Sequence, residues 1–204
     1  MKIEIIPYDK NWKKVFDRLK EELSIIFQNI NPCIEHIGST SVPGLASKNV
    51  IDVLMGIYNP SQFDEVVDLF SKNNRYIYYK AFEEGLPNRR LFVRLKDNVA
   101  SDEFEKVFSH QDKIPHDKIN KCRIANIHVV EKDSSEWQRH IAFREYLKIH
   151  EHVRFEYAKI KSELSQKQWK HGMEYNAGKN KFIKREEQKA IEWYLKKKGS
   201  DYNP

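Results

Sequence analysis

Hydrophobic positions along this chain follow two different periods, and the changes of period predict its elements. Between residues 9 and 29, apolar side chains recur every three or four positions, which is typical of a helix with one buried face. Strands are predicted for short apolar runs bounded by polar or turn residues, at 34–37, 50–57, 75–80, 89–96 and 123–130. Helical spacing returns from Ser61, from Asp133 and over 179–198. The pattern predicts a mixed α/β fold, in which helices flank one β-sheet.

Other segments give weaker patterns. Residues 2–7 indicate a strand or an extended arm, and residues 97–121 indicate a polar loop with one short helix near 102–108. After residue 133 the spacing fits either one helix or two helices with a break near His150. We therefore expect the 204 residues to form a core at 1–132 and a helical C-terminal subdomain at 133–204, packed beside it.

The charge and the number of cysteines limit the classes of protein to which this chain could belong. The chain carries 36 Lys and Arg against 30 Asp and Glu, and most of the resulting +6 lies beyond Glu151. A basic helix is usually a solvated surface, and an acidic partner is the sharper alternative. No long apolar run or signal peptide is visible, so a cytoplasmic protein without a membrane partner is expected. Cys33 and Cys122 are too few for a disulfide framework and are expected to be reduced.

The candidate chemistry centres on residues 34–57, where a turn joins two apolar strands. Gly38 allows the backbone to approach a ligand closely, and Asp52 is a single acid in the second apolar run. Burying its charge is costly, so Asp52 should lie at a strand mouth, held by a cation or by hydrogen bonds. The turn also carries hydroxyl groups, at Ser39, Thr40 and Ser41. These features predict a cradle for phosphate or carboxylate, and the alternative is a turn whose hydroxyls only cap the backbone.

The strings HIGSTSVPGLASK and VIDVL in this central stretch resemble the signature of the GrpB family. Members of that family are small proteins that are expected to have the nucleotidyltransferase fold. The resemblance continues in IPYDKNW, IHVV, EWQRHIAFREYLKIH and YNAGKNKFI, with a poorly matching insert at about 96–121, and it favours two helices after residue 133. In the wider superfamily the Gly-Ser turn precedes an Asp-x-Asp/Glu strand that holds Mg²⁺. Here Asp52 matches the first acid, but Leu54 takes the second position, so the resemblance supports the fold better than the activity.

The resemblance also suggests a metal centre. A third metal-binding acid of the superfamily lies on a strand comparable to 123–130, so His128 is a candidate metal ligand or general base. Asp52 is the second candidate catalytic residue, as the carboxylate that holds the cation. A hydrogen-bonded core histidine is the alternative for His128. If His36 shares a sheet face with both, the three make a mixed ligand set for a divalent ion, with Mg or Mn as candidate cofactors.

Four basic residues are candidate phosphate ligands. Arg90 and Arg94 share one face of their predicted strand and could meet phosphates beside the turn, or could simply be solvated. Arg144 and Lys179 fall in matched parts of the resemblance, and an intrahelical ion pair is the alternative for Arg144. Together with Gly38, Ser39, Thr40 and Ser41, these residues make up the predicted nucleotide-binding set.

The sequence thus leaves three functions open. The first is metal-dependent transfer of a nucleotidyl group from a nucleoside triphosphate to an unknown acceptor. The second is binding of a nucleotide or phosphorylated metabolite without turnover, because Leu54 removes an expected metal ligand. The third is a protein or nucleic-acid contact made by the basic C-terminal helices, and the sequence favours a small molecule over nucleic acid.

Overall fold

A computed structural model describes residues 2–100, 102–169 and 172–200 of the chain. In these ranges the helices are α1 (Asn11–Ile26), α2 (Phe63–Ser71), α3 (His116–Cys122), α4 (Ser135–Ile149), α5 (Glu151–Ser165) and α6 (Gly172–Ser200). The strands are β1 (Cys33–Ile37), β2 (Ile51–Ile57), β3 (Tyr76–Tyr78), β4 (Arg89–Leu95) and β5 (Arg123–Glu131). The predicted mixed α/β class is confirmed.

The strands form one mixed sheet in the order β1-β2-β5-β4-β3. The central strands β2 and β5 run parallel, and the other neighbours are antiparallel. Central strands are covered on both faces, which explains why β2 is apolar almost throughout. The register places Asp52 opposite Asn126 and Leu54 opposite His128.

The two faces of the sheet are buried by different helices. On the first face, Val53 and Met55 of β2 join Ile127 of β5 in a core with helices α1 and α2. On the second face, Leu54 and Val130 pack against α4. The predicted alternation in β5 is confirmed, and it turns the polar side chains of β5 toward the second face, at Asn126 and His128.

Helices α5 and α6 extend this second layer. They share an apolar cluster with α4 and with the segment that follows the turn, through Val42 and Leu45. Side chains of α5 can therefore reach a turn that precedes them by more than a hundred residues. The break near His150 is observed, since α4 ends at Ile149 and α5 begins at Glu151. The division of the chain at residue 132 stays a prediction.

Local signals were misleading in two places. Residues 102–108 do not form the expected helix, because Tyr78 bonds the backbone of Lys106 and Phe108 and holds that segment extended. Helix α4 begins at Ser135 rather than at Asp133, and its N-cap is Ser134, whose hydroxyl accepts from the backbone N–H of Trp137. Residues 2–7 pair through a single bridge, from Ile6 to Ser47, which agrees with the extended arm rather than the strand of the two alternatives.

Two further expectations concern the molecule as a whole. Cys33 and Cys122 are both free thiols, as the sequence predicts. Among the helices of the described ranges, none has both the length and the apolar character that crossing a bilayer requires.

Candidate functional site

The turn after β1 is shaped by the carboxylate of Asp52. Gly38 has φ 70° and ψ −173°, a conformation that is nearly restricted to glycine. A Cβ atom at this position would lie 2.4 Å from Oδ2 of Asp52. The absence of a side chain at Gly38 is therefore what allows the carboxylate to lie directly against the turn.

The three hydroxyls of the turn have different partners. Ser41 donates to the carbonyl of Gly38 at 2.6 Å, and the Thr40 hydroxyl lies 2.9 Å from Nε2 of His36. These two contacts stabilise the turn itself. Ser39 instead accepts a hydrogen bond of 3.0 Å from Nζ of Lys161. Of the predicted hydroxyl cradle, Ser39 is the member that connects to charged groups.

Asp52 is held as a carboxylate by polar neighbours from β5. Burial opposes its ionisation, but the contacts with His128 and Asn126 and the charge of Lys48 outweigh burial and keep the pKa of Asp52 well below its ordinary value. The amide of Asn126 donates to Oδ1 at 2.7 Å, and Nε2 of His128 lies 3.6 Å from the same oxygen. With a side chain that is 30% exposed, Asp52 lies at the mouth of its strand.

His128 has both ring nitrogens engaged. Its Nδ1 contacts the guanidinium of Arg89, which can only donate, so Nδ1 accepts and the ring proton resides on Nε2, facing Asp52. Burial and the charge of Arg89 lower the pKa of His128 to about 4. A neutral ring with no free lone pair favours the hydrogen-bonded histidine over a metal ligand or general base.

We expect His128 to remain neutral, with its proton on Nε2, throughout pH 5.5–8. Because the folded pKa is lowered below that of the unfolded chain, His128 contributes stability above the unfolded pKa of ~6.5 and loses it as the pH falls toward 4. Nitrogen-15 NMR of the histidine rings measures both the tautomer and the titration, with His128→Gln to assign the signal. Titration near pH 6.5, or a proton on Nδ1, would contradict this assignment.

The proposed set of three metal ligands does not assemble. His36 pairs in register with Val53 and therefore lies on the first face of the sheet, stacked 4.7 Å from Phe16 of α1, whereas Asp52 and His128 lie on the second face. In the described ranges, no group of three His, Cys, Asp or Glu side chains is placed to hold a metal ion. The donor set around Asp52 thus does not fit Mg²⁺ or Mn²⁺ held by protein groups alone.

Arg90 and Arg94 share a strand face as expected, but it is the face opposite Asp52. Arg90 lies over the ring of Phe63, 4.7 Å from its centroid. Arg94 is 2% exposed and pairs with Glu22 at 2.8 Å. The neighbouring Arg89 points to the second face instead, because alternation along a strand reverses with each residue.

Arg144 lies between α4 and β1, and its guanidinium contacts groups on both elements. Its Nη1 contacts Glu35 at 2.6 Å and donates to the carbonyl of His36 at 2.8 Å. It also bonds Glu145 on its own helix. Arg144 therefore connects α4 to β1, which is a structural role.

Lys179 belongs to a group of three amines, which we call the lysine cluster: the buried Lys161 and the half-buried Lys48 and Lys179. Lys161 is only 2% exposed and lies 4.5 Å from the ring centroid of Tyr157. Lys48 and Lys179 both contact the ring of Tyr175, at 5.1 and 4.7 Å. No member of the cluster forms a salt bridge with a carboxylate of the described chain.

Burial and mutual repulsion weaken proton binding by the lysine cluster. Burial, then the charges of Lys179 and Lys48, lower the pKa of Lys161 to about 7. Burial and Lys48 lower the pKa of Lys179 to about 7, with Asp52 opposing. Burial and Arg123 lower the pKa of Lys48 to about 8. The amines are close enough to repel one another, which is the environment that an anion would relieve.

Lys48 connects the cluster to a pocket of about 980 Å³ that also contains Arg89 and Arg123. Arg123 donates to the side-chain oxygen of Asn126 at 2.9 Å. In both arginines Nε is buried, and no partner for it is found among the described residues. Two guanidinium groups with unused donors thus bracket the Asn126–His128 segment of β5.

Sequence reasoning missed four of these cations, although signals existed for them. Lys48 is the last residue of the string HIGSTSVPGLASK, and Arg89 is next to Arg90, a candidate phosphate ligand. Lys161 follows Tyr157 by four residues, so it interrupts the apolar stripe of its helix. Arg123 begins a strand that is otherwise apolar at alternate positions. The signal in the sequence was a charged residue at a position where the pattern requires an apolar one.

Comparison of the sequence with known proteins finds similarity along most of the chain. The family model described as GrpB protein matches residues 2–189. The UPF0157 protein YqkA of Bacillus subtilis is 32% identical over 195 residues, which cover 94% of this chain and 48% of that protein, so the chain spans about half its length. The glutamate-rich protein GrpB of Alkalihalophilus pseudofirmus is 26% identical, over 88% of this chain and 90% of that protein.

A solved structure resembles the whole fold. The crystal structure of conserved protein GrpB from Enterococcus faecalis has a TM-score of 0.71 and 27% sequence identity. The match covers 94% of this chain and 99% of the Enterococcus chain. The mixed sheet and its flanking helices are thus shared with that protein.

Proposed function

The chain belongs to the GrpB family, and we propose that its central pocket binds a phosphorylated small molecule through cationic side chains rather than through a protein-held metal ion. The observation that carries this proposal is the lysine cluster. Lys48 and Lys179 lie over the same Tyr175 ring, and burial and mutual repulsion oppose the charge of all three amines. A multiply charged phosphate would offset both effects.

The charge balance around the pocket supports an anionic ligand. Asp52 supplies one negative charge and already interacts with β5. The pocket lining itself carries six cations, Lys2, Lys48, Arg89, Lys96, Lys121 and Arg123, against the carboxylates of Glu4 and Asp117, and Lys161 and Lys179 add their charges through their proximity to Lys48. Buried donors without acceptors are rare in native proteins, and the Nε groups of both arginines are of this kind. Phosphate oxygens are suitable acceptors for guanidinium and ammonium groups.

Metal-dependent nucleotidyl transfer is the second candidate. It is favoured by one observation, the close contact of ionised Asp52 with the Gly38 turn. The second acid position is occupied by Leu54, which is buried against Trp137 and Ile141 of α4 and offers no oxygen ligand. Transfer would then require the substrate phosphates to supply most ligands of the ion. The geometry therefore favours binding over metal-dependent transfer.

A contact surface on the C-terminal helices is less well supported. Several basic side chains of α6 already have acidic partners. Arg185 pairs with Glu156 at 2.7 Å, and Lys189 pairs with Glu186 at 2.9 Å. These pairs reduce the positive charge that the helices could present to an acidic macromolecule.

Calorimetric titration with ATP, in EDTA and then with Mg²⁺ or Mn²⁺, separates these functions. We expect ATP to bind in EDTA and Mg²⁺ to weaken binding, because the ion neutralises the phosphate charge that the lysine cluster recognises. Lys48→Met should reduce the affinity, whereas Lys159→Met, at an exposed position of α5, serves as a matched control. Binding that requires the metal, with pyrophosphate released on addition of an acceptor, would instead support transfer.

The affinity for ATP should fall as the pH rises. Lys161 and Lys179 lose their protons near pH 7 and Lys48 near pH 8, so the cluster is charged at pH 6.5 and largely neutral at pH 9. The phosphate groups are already ionised across this range, since their last pKa lies near ~6. We expect the dissociation constant to increase about 10-fold or more, given the ~10-fold change per unit of pH for one coupled proton. An unchanged constant at fixed ionic strength would contradict the role of the lysine cluster.

A further inference from the structure

The pocket has an apolar wall in addition to its cations. This wall comes from the segment between β3 and β4 and from β4 itself, through Phe82, Leu86 and Leu91. Leu86 is 41% exposed, and Phe82 and Leu91 are half-buried. Apolar side chains that remain accessible inside a pocket are available to an apolar part of a ligand.

The apolar wall rests on a packed support. Behind it, Tyr79 is buried and contacts Phe82, with ring centroids 5.8 Å apart. Phe82 and Leu91 also pack against a buried cluster that includes Val93 and Ile119 of α3. The wall is therefore part of a second small core.

The apolar wall adjoins the cationic region at a distance suited to one small molecule. Arg89 and Leu91 lie on the same face of β4, two residues apart, which places them about 7 Å from each other along the strand. Arg123 lines the same pocket as Tyr79 and Phe82, so the second guanidinium lies near the same wall. A ligand with its phosphates at the arginines would have its organic group beside Leu91.

We propose that the pocket selects a phosphate ester that carries an aromatic ring, of the nucleotide class, and that the ring packs against Phe82, Leu86 and Leu91. This inference rests on the proposed function, because it concerns the same site. It excludes free phosphate, polyphosphate and simple sugar phosphates as preferred ligands. Stacking and apolar contact with a nucleobase contribute about 10- to 100-fold in affinity.

The test compares ATP with tripolyphosphate, which carries a similar charge without the base. In EDTA at pH 6.5, we expect ATP to bind about 10- to 100-fold more tightly. Leu86→Ser and Phe82→Ala should weaken ATP binding and leave tripolyphosphate binding unchanged. Ile25→Ser, at an exposed apolar position on α1, is the matched control and should change neither. Thermal unfolding verifies that each variant is folded, and Leu86→Ser is chosen because its side chain lies at the surface.

The outcomes separate the two proposals. Equal affinity for ATP and tripolyphosphate would overturn the apolar subsite while supporting phosphate binding by the cations. Tight ATP binding that is insensitive to both apolar substitutions would also overturn the subsite. Binding of neither ligand to the folded wild-type protein would overturn the proposed function itself.

Discussion

Replacing Lys179 with methionine is expected to weaken ATP binding by about 10- to 150-fold and to raise the melting temperature of the ligand-free protein. The loss follows from removal of a charge-assisted contact, which is worth roughly 1.5–3 kcal/mol. The gain in stability follows because Lys179 is desolvated and repelled by Lys48, whereas a thioether lies beside the Tyr175 ring without a charge. A binding residue that destabilises the free protein is the signature of a site built for its ligand.

The increase in stability expected for Lys179→Met should be larger at low pH than at high pH. The folded pKa of Lys179 is about 7, below the unfolded value of ~10.4, so the unfolded chain binds the proton more tightly. The penalty from Lys179 is therefore fully present below pH 7 and disappears as the pH rises toward 10. At pH 6.5 the gain should be at least ~1 kcal/mol, since one unit of pKa shift corresponds to ~1.4 kcal/mol.

Calorimetric titration and thermal unfolding measure the two effects of Lys179→Met. Lys181→Met is the matched control, because Lys181 is exposed on the same helix and should change neither quantity. Lower stability in Lys179→Met together with unchanged ATP affinity would mean that Lys179 is an ordinary packing residue.

Gly38→Ala is expected to destabilise the protein by about 3 kcal/mol or more. The backbone conformation of Gly38 alone costs a non-glycine residue roughly 1–3 kcal/mol. In addition, the new methyl group would lie 2.4 Å from Oδ2 of Asp52, so either the turn or the carboxylate must move. That movement would break the Asn126 contact with Asp52.

Two comparisons isolate the contact with Asp52. Gly44 also has positive φ, 79°, but a Cβ there meets no atom within 4 Å, so Gly44→Ala should cost only the backbone strain. Adding Asp52→Ala to Gly38→Ala removes the closest clash and should recover part of the loss, which a double-mutant cycle measures as coupling. Equal losses for Gly38→Ala and Gly44→Ala in chemical unfolding would show that the carboxylate does not press on the turn.

The local pattern of apolar and polar residues was sufficient to predict much of the fold. The strict alternation of RIANIHVV predicted which side chains of β5 face each way, because a strand has only two faces. The isolated acid in an apolar run placed Asp52 at a strand mouth, since a buried charge needs partners. The glycine before three hydroxyl residues located the turn. These are consequences of neighbouring residues, which a single sequence records.

The remainder of the site depends on contacts between distant residues. Alternation shows that Arg89 and Arg90 point in opposite directions, but only the order of the strands shows which face carries Asp52. Lys161 reaches Ser39 across 122 positions of sequence, a contact that no local spacing encodes. Residues 102–108 have helical character but are held extended by Tyr78, so tertiary pairing overrode local preference.

A crystal structure of the protein with ATP, grown in EDTA near pH 6.5, tests the central claim most directly. The account predicts phosphate oxygens within hydrogen-bond distance of Lys48 or Lys179 and of the guanidinium group of Arg89 or Arg123, with no metal ion between the phosphates and Asp52. Phosphates located outside this pocket, or ATP that binds only when a divalent ion joins it to Asp52, would contradict recognition by the cations.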